Sequence, residues 1–290
     1  MKNSVYPIGT PVDSKHLAEL ARQSLVAEAE LTPKPGLVDR RGSGSHTDLS
    51  LDRMRRSASV IAPYFAAMSA AASHSPFNHS LRAKVASIGR DAEFSMLRAT
   101  KGSNAHKGAI WVLGLLVTAA SGGERRPEYL AEAAGFLARL PDRAQPQLVS
   151  HGDVVRRRYG VAGARGEAHN NFPHVVSVGL PALRVARGDG RTESNSRLHA
   201  LLSIMALLED TCVLYRGGAD GLNAVKVGAK TVLEAGGPGR AAGDKALKYL
   251  DEQLLMLRVS PGGSADLLAA TLFLDAVEQG RSAVEEDNSF

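Results

Sequence analysis

Apolar residues recur along this chain at spacings of three and four, which is the period of a helix that buries one face. The first such stretch spans residues 14–31, where the buried stripe is expected to consist of Leu17, Leu20, Ala21, Leu25 and Ala29. Alternation with a period of two is almost absent, and no Asn-Gly or Asp-Gly turn lies between strand-like runs. The pattern predicts an all-α protein.

Breaks rich in glycine and proline divide the chain into about ten predicted helices. Starts are predicted at Ser14 with Asp13 or Ser14 as the cap, after Asp48, after Asn78, near His106, at Pro127 and at Pro173. Further helices are predicted over 149–159, 195–215, 221–235, 241–257 and 264–279, and Pro63 is expected to kink the second helix. Because the breaks are spread evenly, we expect one compact domain over residues 1–290, with flexible termini at 1–12 and 281–290.

The composition is that of an ordinary globular protein with a mild positive charge. Hydrophobic residues make up 44% and charged residues 22% of the 290 positions, which allows a sizeable core. The 35 Lys and Arg residues against 30 Asp and Glu give a net charge of +5, which suits an anionic ligand. The densest basic run, at 156–158, is too short for a nucleic-acid-binding arm, so we expect no nucleic-acid partner.

The single cysteine, Cys212, lies in an apolar helical run and is expected to be a small buried residue. No apolar run reaches the roughly 20 residues that a membrane span requires. The first residues also lack the apolar stretch of a signal peptide. We therefore expect a cytoplasmic protein with no membrane partner.

The first of three polar segments that carry candidate chemistry is LTPKPGLVD, residues 31–39. Lys34 stands between two prolines, so its ammonium is expected to be presented from a stiff loop. Gly36 would let the backbone approach a ligand closely, and Asp39 follows an apolar anchor. A helix-ending turn with a solvated lysine explains this segment equally well.

The second segment is SNAHKGA, residues 103–109. Asn104 can cap the helix that starts near His106, where free N–H groups favour a phosphate. Lys107 in the first turn opposes the helix dipole unless an anion is bound. His106 could act as an acid or a base, or it could only cap or pack.

The third segment is GARGEA, residues 163–168, which we interpret as a loop. Arg165 suits phosphate oxygens, and Glu167 could bind Mg²⁺ or act as a base. The alternative is an exposed loop with an ion pair that contributes little.

Further acids stand in apolar surroundings, where a carboxylate is costly unless it is paired or bound to a metal. Glu209 and Asp210 close an apolar run, with Arg216 shortly after, and Asp266 lies just inside the last helix. His46 and Asp48 could join Asp39 in an acidic cluster. The chain has no zinc pattern, Walker loop or Gly-x-Ser-x-Gly elbow. These residues favour Mg²⁺ held by oxygen ligands, with Lys and Arg on a polyphosphate.

Taken together, the motifs resemble those of the triphosphoribosyl-dephospho-CoA synthases. The likeness runs from about Glu28 to Leu274. In the family's order, the matching segments are LTPKPGLVD, the Gly-x-His-x-Asp loop at 44–48, NAHKGA, GARGEA, LEDT at 208–211 and SADLLA at 264–269. The set is specific, although each motif alone is weak. One departure is Ala105, where the family's segment has a threonine before the histidine.

The resemblance implies an enzyme that takes ATP and 3′-dephospho-CoA and releases adenine. The triphosphoribosyl group is joined to the ribose 2′-hydroxyl of dephospho-CoA. The product would be the prosthetic-group precursor for the acyl carrier protein of malonate decarboxylase or citrate lyase, attached by a separate phosphoribosyl-dephospho-CoA transferase. The stretch HNNFPHVVSVGLPALR at 169–184 resembles the malonate decarboxylase branch more closely.

Breaking an N-glycosidic bond builds positive charge on the ribose and requires proton transfer, while the retained triphosphate needs a cationic clamp. For this chemistry we expect Glu167, His106 and Asp39 to be catalytic. We expect the nucleotide to contact Lys34, Gly36, Asn104, Lys107, Gly108, Arg165, Gly166 and Arg216. We expect Mg²⁺ to be held by Asp39, Asp48, Glu209 and Asp210.

Two other functions fit the same residues. A Mg²⁺-dependent ADP-ribosyl hydrolase would also be all-α with scattered acids, but it would use water as the acceptor. A non-catalytic nucleotide-binding protein would use the positive charge without turning over a small molecule.

Overall fold

The computed structural model describes residues 12–142 and 151–280, and over these ranges the chain forms twelve α-helices, one π-helical segment and no strand. The helices are α1 (Ser14–Glu30), α2 (Leu51–Ala72), α3 (His79–Ala99), α4 (Lys107–Ala120), α5 (Pro127–Arg139), α6 (His151–Tyr159), α7 (Gly163–His169), α8 (Leu180–Gly188), α9 (Glu193–Leu207), α10 (Thr211–Glu234), α11 (Ala241–Met256) and α12 (Gly262–Gln279). The π-helical segment His174–Gly179 precedes α8. The predicted all-α fold is confirmed, with slightly more helices than ten.

Most predicted helix starts are confirmed because short polar side chains cap the first free N–H groups. The Asp13 carboxylate accepts from the Lys15 N–H at 3.0 Å, and the Asn78 side chain accepts from the Leu81 N–H at 3.0 Å. α2 begins after Ser50 and continues through Pro63 to its end at Ala72.

Two predicted elements are wrong, and both errors lie near the site. The single helix predicted over 195–215 is broken, because Asp210 caps a new helix by accepting from the backbone N–H groups of Cys212 and Val213. That helix, α10, runs to Glu234 but is kinked at Gly218, whose non-helical φ of 61° only glycine adopts readily. The kink lies between the ends of the helices predicted over 195–215 and 221–235. The GARGEA segment is a helix, α7, rather than a loop.

Some expectations fall on residues outside the described ranges. The predicted helix start at Val149 and nearly all of the termini expected to be flexible are among them. An exception is Val12, whose N–H donates to the Ser121 carbonyl at 3.2 Å.

α12 lies between two apolar cores and contributes to both. One core is built around α4, which is buried along almost its whole length, and it includes Phe273 of α12. The other is formed largely by α9, α10 and α11 and includes Leu268 and Leu272 of α12. Each fully buried leucine or phenylalanine side chain stabilises the fold by about 1.5–3 kcal/mol. The start of α12 therefore lies where the two cores meet.

Within residues 12–142 and 151–280, no single helix is long and apolar enough to cross a membrane. α9 and α10 pass that test only as a pair, which is bent by 62°.

Candidate active site

The Lys34 side chain is turned inward, against the expectation of an ammonium presented from a loop. Lys34 is 1% exposed, and its ammonium is paired with the carboxylate of Glu28, which is 2% exposed. Glu28 lies on the buried face of α1, three residues after Leu25, and this acid draws the cation into the protein. A buried pair of this kind tolerates the loss of neither partner.

Asp39 holds its own loop together. Its carboxylate accepts from the Lys34 N–H at 2.9 Å, from the Arg41 N–H at 2.7 Å and from the Arg41 guanidinium at 2.9 Å. The same guanidinium donates to Asp251 of α11 at 2.6 Å. Because these bonds occupy both oxygens of Asp39, the geometry favours a structural role, and its catalytic and metal-binding roles stay predictions.

Gly36 makes a close contact, but with protein rather than with a nucleotide. A Cβ at this position would lie 2.5 Å from the Val259 carbonyl oxygen, and the residue has a φ of +68°. Its N–H donates to Asp251 at 2.9 Å. Glycine is therefore needed here so that the loop can pack on the segment between α11 and α12.

The Gly-x-His-x-Asp loop lies against the same segment. His46 Nε2 is 3.0 Å from the Ser260 hydroxyl, and Nδ1 is 3.2 Å from the Arg216 guanidinium. Since arginine can only donate, Nδ1 accepts, and Nε2 carries the proton towards Ser260. Burial and the Arg216 charge lower the pKa of His46, although Asp48, 3.5 Å away and more than half exposed, opposes the shift.

His106 is buried and neutral. Its Nδ1 lies 2.7 Å from the Ser57 hydroxyl, while Nε2 is buried without a hydrogen-bond partner in the described part of the chain. Burial first, and the Lys34 charge second, lower the pKa of His106 to about 3. A histidine with this pKa is a weak base but can still bind a ligand through Nε2.

The remaining predicted residues of the SNAHKGA segment lie on its outer side. The N-cap of α4 is His106 rather than Asn104, but the Asn104 side chain still accepts from the N–H of Lys107, the first residue of the helix, at 3.1 Å. The Lys107 ammonium is half-exposed and lies 3.1 Å from Glu93 of α3. The Ser103 hydroxyl donates to the Asp48 carbonyl at 2.6 Å, which joins this segment to the His46 loop.

Asp266 of α12 lies on the first turn of α4. Its carboxyl accepts from the Ala109 N–H, and a Cβ at Gly108 would be only 2.0 Å from Oδ2. Burial, followed by the charges of Glu28 and Asp210, raises the pKa of Asp266 well above its usual value. Asp266 nevertheless keeps some exposed surface.

Cys212 lies beside the start of α12, and the prediction that it would be buried is wrong. The residue is exposed, yet surrounding protein desolvates the thiol and raises its pKa. The Asp210 and Asp266 charges raise this pKa further. A Cβ at Gly262 would be 3.3 Å from the sulfur, which places the thiol beside the start of α12.

Asp210 is a buried cap shared by two helices. It accepts from the N–H groups of Cys212 and Val213 at the start of α10, at 2.9 and 3.4 Å. It also accepts from Gly263 N–H, Ser264 N–H and the Ser264 hydroxyl at the start of α12, at 3.3, 2.8 and 3.0 Å. Burial raises the pKa of Asp210, and these hydrogen bonds oppose the shift.

The four carboxylates predicted to hold Mg²⁺ are not arranged as a metal site. Asp39 and Asp210 are engaged in the hydrogen bonds described above, and Glu209 is exposed and paired with Lys226 at 2.7 Å. Over residues 12–142 and 151–280, no group of three or more His, Cys, Asp or Glu side chains could hold a metal ion. The residues present therefore do not fit a magnesium site built by the protein alone.

Glu167 is buried and holds the turn that follows α7. One carboxylate oxygen accepts from the His174 N–H and the other lies beside His174 Nδ1, both at 2.8 Å. These contacts favour a structural role, and the assignment of Glu167 as a base stays a prediction. Gly166 provides close packing inside α7, since a Cβ there would be 2.1 Å from the Ala162 side chain.

α7 connects the start of α10 to a basic surface. At its first residue, a Cβ on Gly163 would be 3.1 Å from the Thr211 side chain, next to Cys212. Arg165, two residues later, lines a cavity of about 470 Å³ together with Arg156 and Arg157 of α6.

The cluster of Glu28, Lys34, His106, Asp210 and Asp266, here called the enclosed cluster, is the centre of the candidate active site. Four of its residues come from segments identified in the sequence, although Asp266 was not assigned a role there. Glu28 was not predicted as a site residue. The sequence feature that could have identified it is an acidic residue placed, at helical spacing, among the apolar residues of the first helix. A neutral carboxylic acid beside an ion pair can donate a proton to a leaving group.

The chain is similar to known proteins over nearly its whole length. The chain matches the family described as ATP:dephospho-CoA triphosphoribosyl transferase over residues 14–284. It is 52% identical over 278 residues to a protein of Stutzerimonas stutzeri (strain A1501), with 94% of this chain and 95% of the relative covered. It is 51% identical over 282 residues to a protein of Azotobacter vinelandii (strain DJ / ATCC BAA-1303), with 96% and 97% covered.

Both relatives carry the name "Probable 2-(5''-triphosphoribosyl)-3'-dephosphocoenzyme-A synthase". No solved structure matches the chain. The extent of the family match and the identity to these relatives establish that this chain is a transferase that belongs to the ATP:dephospho-CoA triphosphoribosyl transferase family.

Proposed function

We propose that this protein transfers the triphosphoribosyl group of ATP to the ribose 2′-hydroxyl of 3′-dephospho-CoA and releases adenine. Family membership and the names of its relatives support this reaction. The structural observation that carries the proposal is the seating of Asp266 on the first turn of α4, which joins the SADLLA and NAHKGA segments around one acid whose pKa is raised.

The reaction needs one proton donor and one proton acceptor. The C1′–N9 bond of ATP breaks, adenine leaves with the electron pair and takes up a proton, and positive charge builds on the ribose. The 2′-oxygen of dephospho-CoA then bonds to C1′ and loses its proton. We assign the proton donation to Asp266, because a carboxylic acid kept protonated by its surroundings can protonate a departing base.

Two other residues of the enclosed cluster have roles that follow from their charge states. Glu28, held by Lys34, is a carboxylate that can stabilise the positive ribose. His106 is poorly suited as the general base because its pKa is about 3. Its unpartnered Nε2 is better suited to hydrogen-bond the nucleotide.

In this proposal, Mg²⁺ enters the site bound to the phosphates of the nucleotide. Mg²⁺ commonly binds through substrate phosphates and water, with one or two protein carboxylates. Among the predicted ligands, Asp48 keeps more than half of its side chain exposed and is therefore well placed to reach such an ion. No step of the reaction is assigned to the metal.

The physiological role proposed for the product is to supply the prosthetic group of the acyl carrier protein of malonate decarboxylase. The stretch at 169–184 supports this branch over citrate lyase. The proposal includes a cytoplasmic location and a separate phosphoribosyl-dephospho-CoA transferase that attaches the group. Incubating the purified product with such a transferase and each carrier protein, and weighing the carriers by mass spectrometry, tests the branch.

The reaction itself is tested by incubating the protein with ATP and Mg²⁺, with and without 3′-dephospho-CoA. Adenine release that requires dephospho-CoA, together with a product of the summed mass less adenine, supports the proposal. Release of ADP-ribose from ADP-ribosylated protein would favour the hydrolase instead. Binding of ATP without any adenine release would favour a non-catalytic nucleotide-binding protein.

A further inference from the structure

Arg82 of α3 is a buried cation with incomplete hydrogen bonding. It is 4% exposed, and its Nε and Nη1 atoms are buried with no hydrogen-bond partner in the described part of the chain. The guanidinium lies over the ring of Trp111, 5.1 Å from its centroid. A buried guanidinium normally has oxygen partners for its donors, so this one is arranged to receive oxygens from a ligand.

The charges around Arg82 are mostly of the same sign. Burial lowers the pKa of Arg82; the Asp142 charge, the strongest electrostatic influence, opposes this shift, and the Arg165 and Arg90 charges reinforce it. Asp142 is itself bound to Arg90 at 2.7 Å. An anion beside Arg82 could therefore interact with the nearby Arg165 guanidinium as well.

A cavity of about 470 Å³ opens beside Arg165, and this volume is typical of a ligand site. Arg156 and Arg157 also line it, and Asp153 is its single acidic lining residue. Arginine recognises phosphate oxygens through paired N–H donors, so the lining suits a phosphorylated ligand better than an apolar one.

The basic surface is connected to the enclosed cluster through α4. The indole N–H of Trp111 donates to the carbonyl of Ala164, the residue before Arg165, at 3.3 Å. Trp111 is three residues after Gly108, so the two lie on one face of α4, about one 5.4 Å turn apart. Asp266 is seated on Gly108. One extended ligand could therefore reach from the acid to the arginines.

We propose that Arg82 and Arg165 bind the polyphosphate chain of a nucleotide substrate beside Trp111, with Arg156 and Arg157 at the outer end of the site. The assignment to a substrate rests on the proposed function, in which ATP brings a triphosphate and dephospho-CoA a diphosphate. This site replaces the clamp predicted from sequence, because the ammonium groups of Lys34 and Lys107 are paired with Glu28 and Glu93.

Trp111 is the only tryptophan in the chain, so its fluorescence reports on this site. The full-length protein is titrated with inorganic triphosphate, ATP and 3′-dephospho-CoA, and isothermal calorimetry provides a second measure of Kd. Saturable binding of triphosphate is expected, weakened about tenfold or more by Arg82→Gln and by Arg165→Gln, since each removes charge-assisted hydrogen bonds. A lower Kd for ATP than for dephospho-CoA assigns the site to the triphosphate of ATP. A lower Kd for dephospho-CoA assigns it to the diphosphate of that substrate.

The matched control is Arg98→Gln, which changes an exposed arginine over an exposed Phe94 ring on the same helix, α3. It should leave every Kd within about twofold. Circular dichroism identifies any variant that fails to fold. If Arg82→Gln does not fold, Arg165→Gln still tests the site, because Arg165 is partly exposed. The site is refuted if the folded variants bind triphosphate as tightly as the wild type, or if the wild type binds none of the three probes.

Adenine release separates this proposal from the proposed function. Triphosphate binding that depends on Arg82 and Arg165, in a protein that releases no adenine, would leave the anion site standing and reject the reaction. Adenine release that neither substitution alters would leave the reaction standing and reject the anion site.

Discussion

Asp266 occupies the space that a side chain at Gly108 would need, since a Cβ at position 108 would lie 2.0 Å from its Oδ2 atom. The same carboxyl accepts the Ala109 N–H, so α12 and α4 meet through one acid. Gly108 was expected to contact the nucleotide, but in the structure it makes room for Asp266.

Gly108→Ala should therefore displace the acid and lower the rate of adenine release about 100-fold, the smaller end of what a general acid contributes. The overpacked contact should also cost about 1–3 kcal/mol of unfolding free energy. Steady-state adenine release and urea denaturation measure the two effects.

Gly89→Ala in α3 is the matched control, because a Cβ there would meet only Met68 Cε at 3.6 Å. This change should keep activity and stabilise the protein by up to about 1 kcal/mol, since alanine favours a helix interior. If the two variants are equally active, seating Asp266 on α4 is not required for the reaction.

Asp266→Asn should separate activity from stability. Burial raises the pKa of the wild-type Asp266 well above the usual value for an aspartate, so the unfolded chain releases this proton at a lower pH than the folded protein. The stability contributed by the protonated acid is thus present below about pH 4 and is lost as pH rises towards the folded pKa. Asparagine does not titrate, so the variant should gain stability relative to the wild type as pH rises from 4 to 7.

The same variant cannot donate the proton, and adenine release should fall about 100-fold or more. Denaturation at several pH values and the adenine assay give both results, with the exposed Asp220→Asn as the control. A stability difference that does not change with pH would show that Asp266 is ionised in the folded protein.

His106 should make the fold sensitive to mild acid. Its folded pKa of about 3 lies below the usual value of 6.5, so the unfolded chain takes up a proton that the folded protein does not. Stability is therefore lost as pH falls below about 6.5, by about 2 kcal/mol between pH 7 and pH 5. Urea unfolding at both pH values should show this extra loss in the wild type and in the exposed control His74→Gln, but not in His106→Gln.

Lys34→Met should be strongly destabilising, because it leaves the Glu28 charge buried without its partner. A loss of about 3–5 kcal/mol is typical, and adding Glu28→Gln should recover part of it. Lys107→Met, which breaks an exposed pair with Glu93, should cost no more than about 1 kcal/mol. Equal losses in the two single variants, measured by urea denaturation, would contradict the buried pairing.

The helices were largely predictable because their signals are local. Periodic apolar stripes, the caps at Asp13 and Asn78, and the proline at the start of α5 each act within one or two turns. The break before α10 was missed because Asp210 lies within an apolar run and its cap is completed by Gly263 and Ser264, more than fifty residues away. No local pattern carries that information.

The segments of the site were found from sequence, but the direction of their side chains was not. Lys34 looked solvated between its prolines, yet it points to Glu28. Arg82 gave no signal because its unpaired atoms become visible only once α3 is packed beside Trp111. Residue types indicate which chemistry is possible, while packing decides which charges are already satisfied.

The amino ends of α4, α10 and α12 converge on Asp210 and Asp266. Each such end carries about half a unit of positive partial charge from its peptide groups. The backbone thus offsets the negative charge of these side chains, and the raised pKa of Asp266 reduces that charge further. A site with several acids can in this way still accept a substrate that is itself a polyanion.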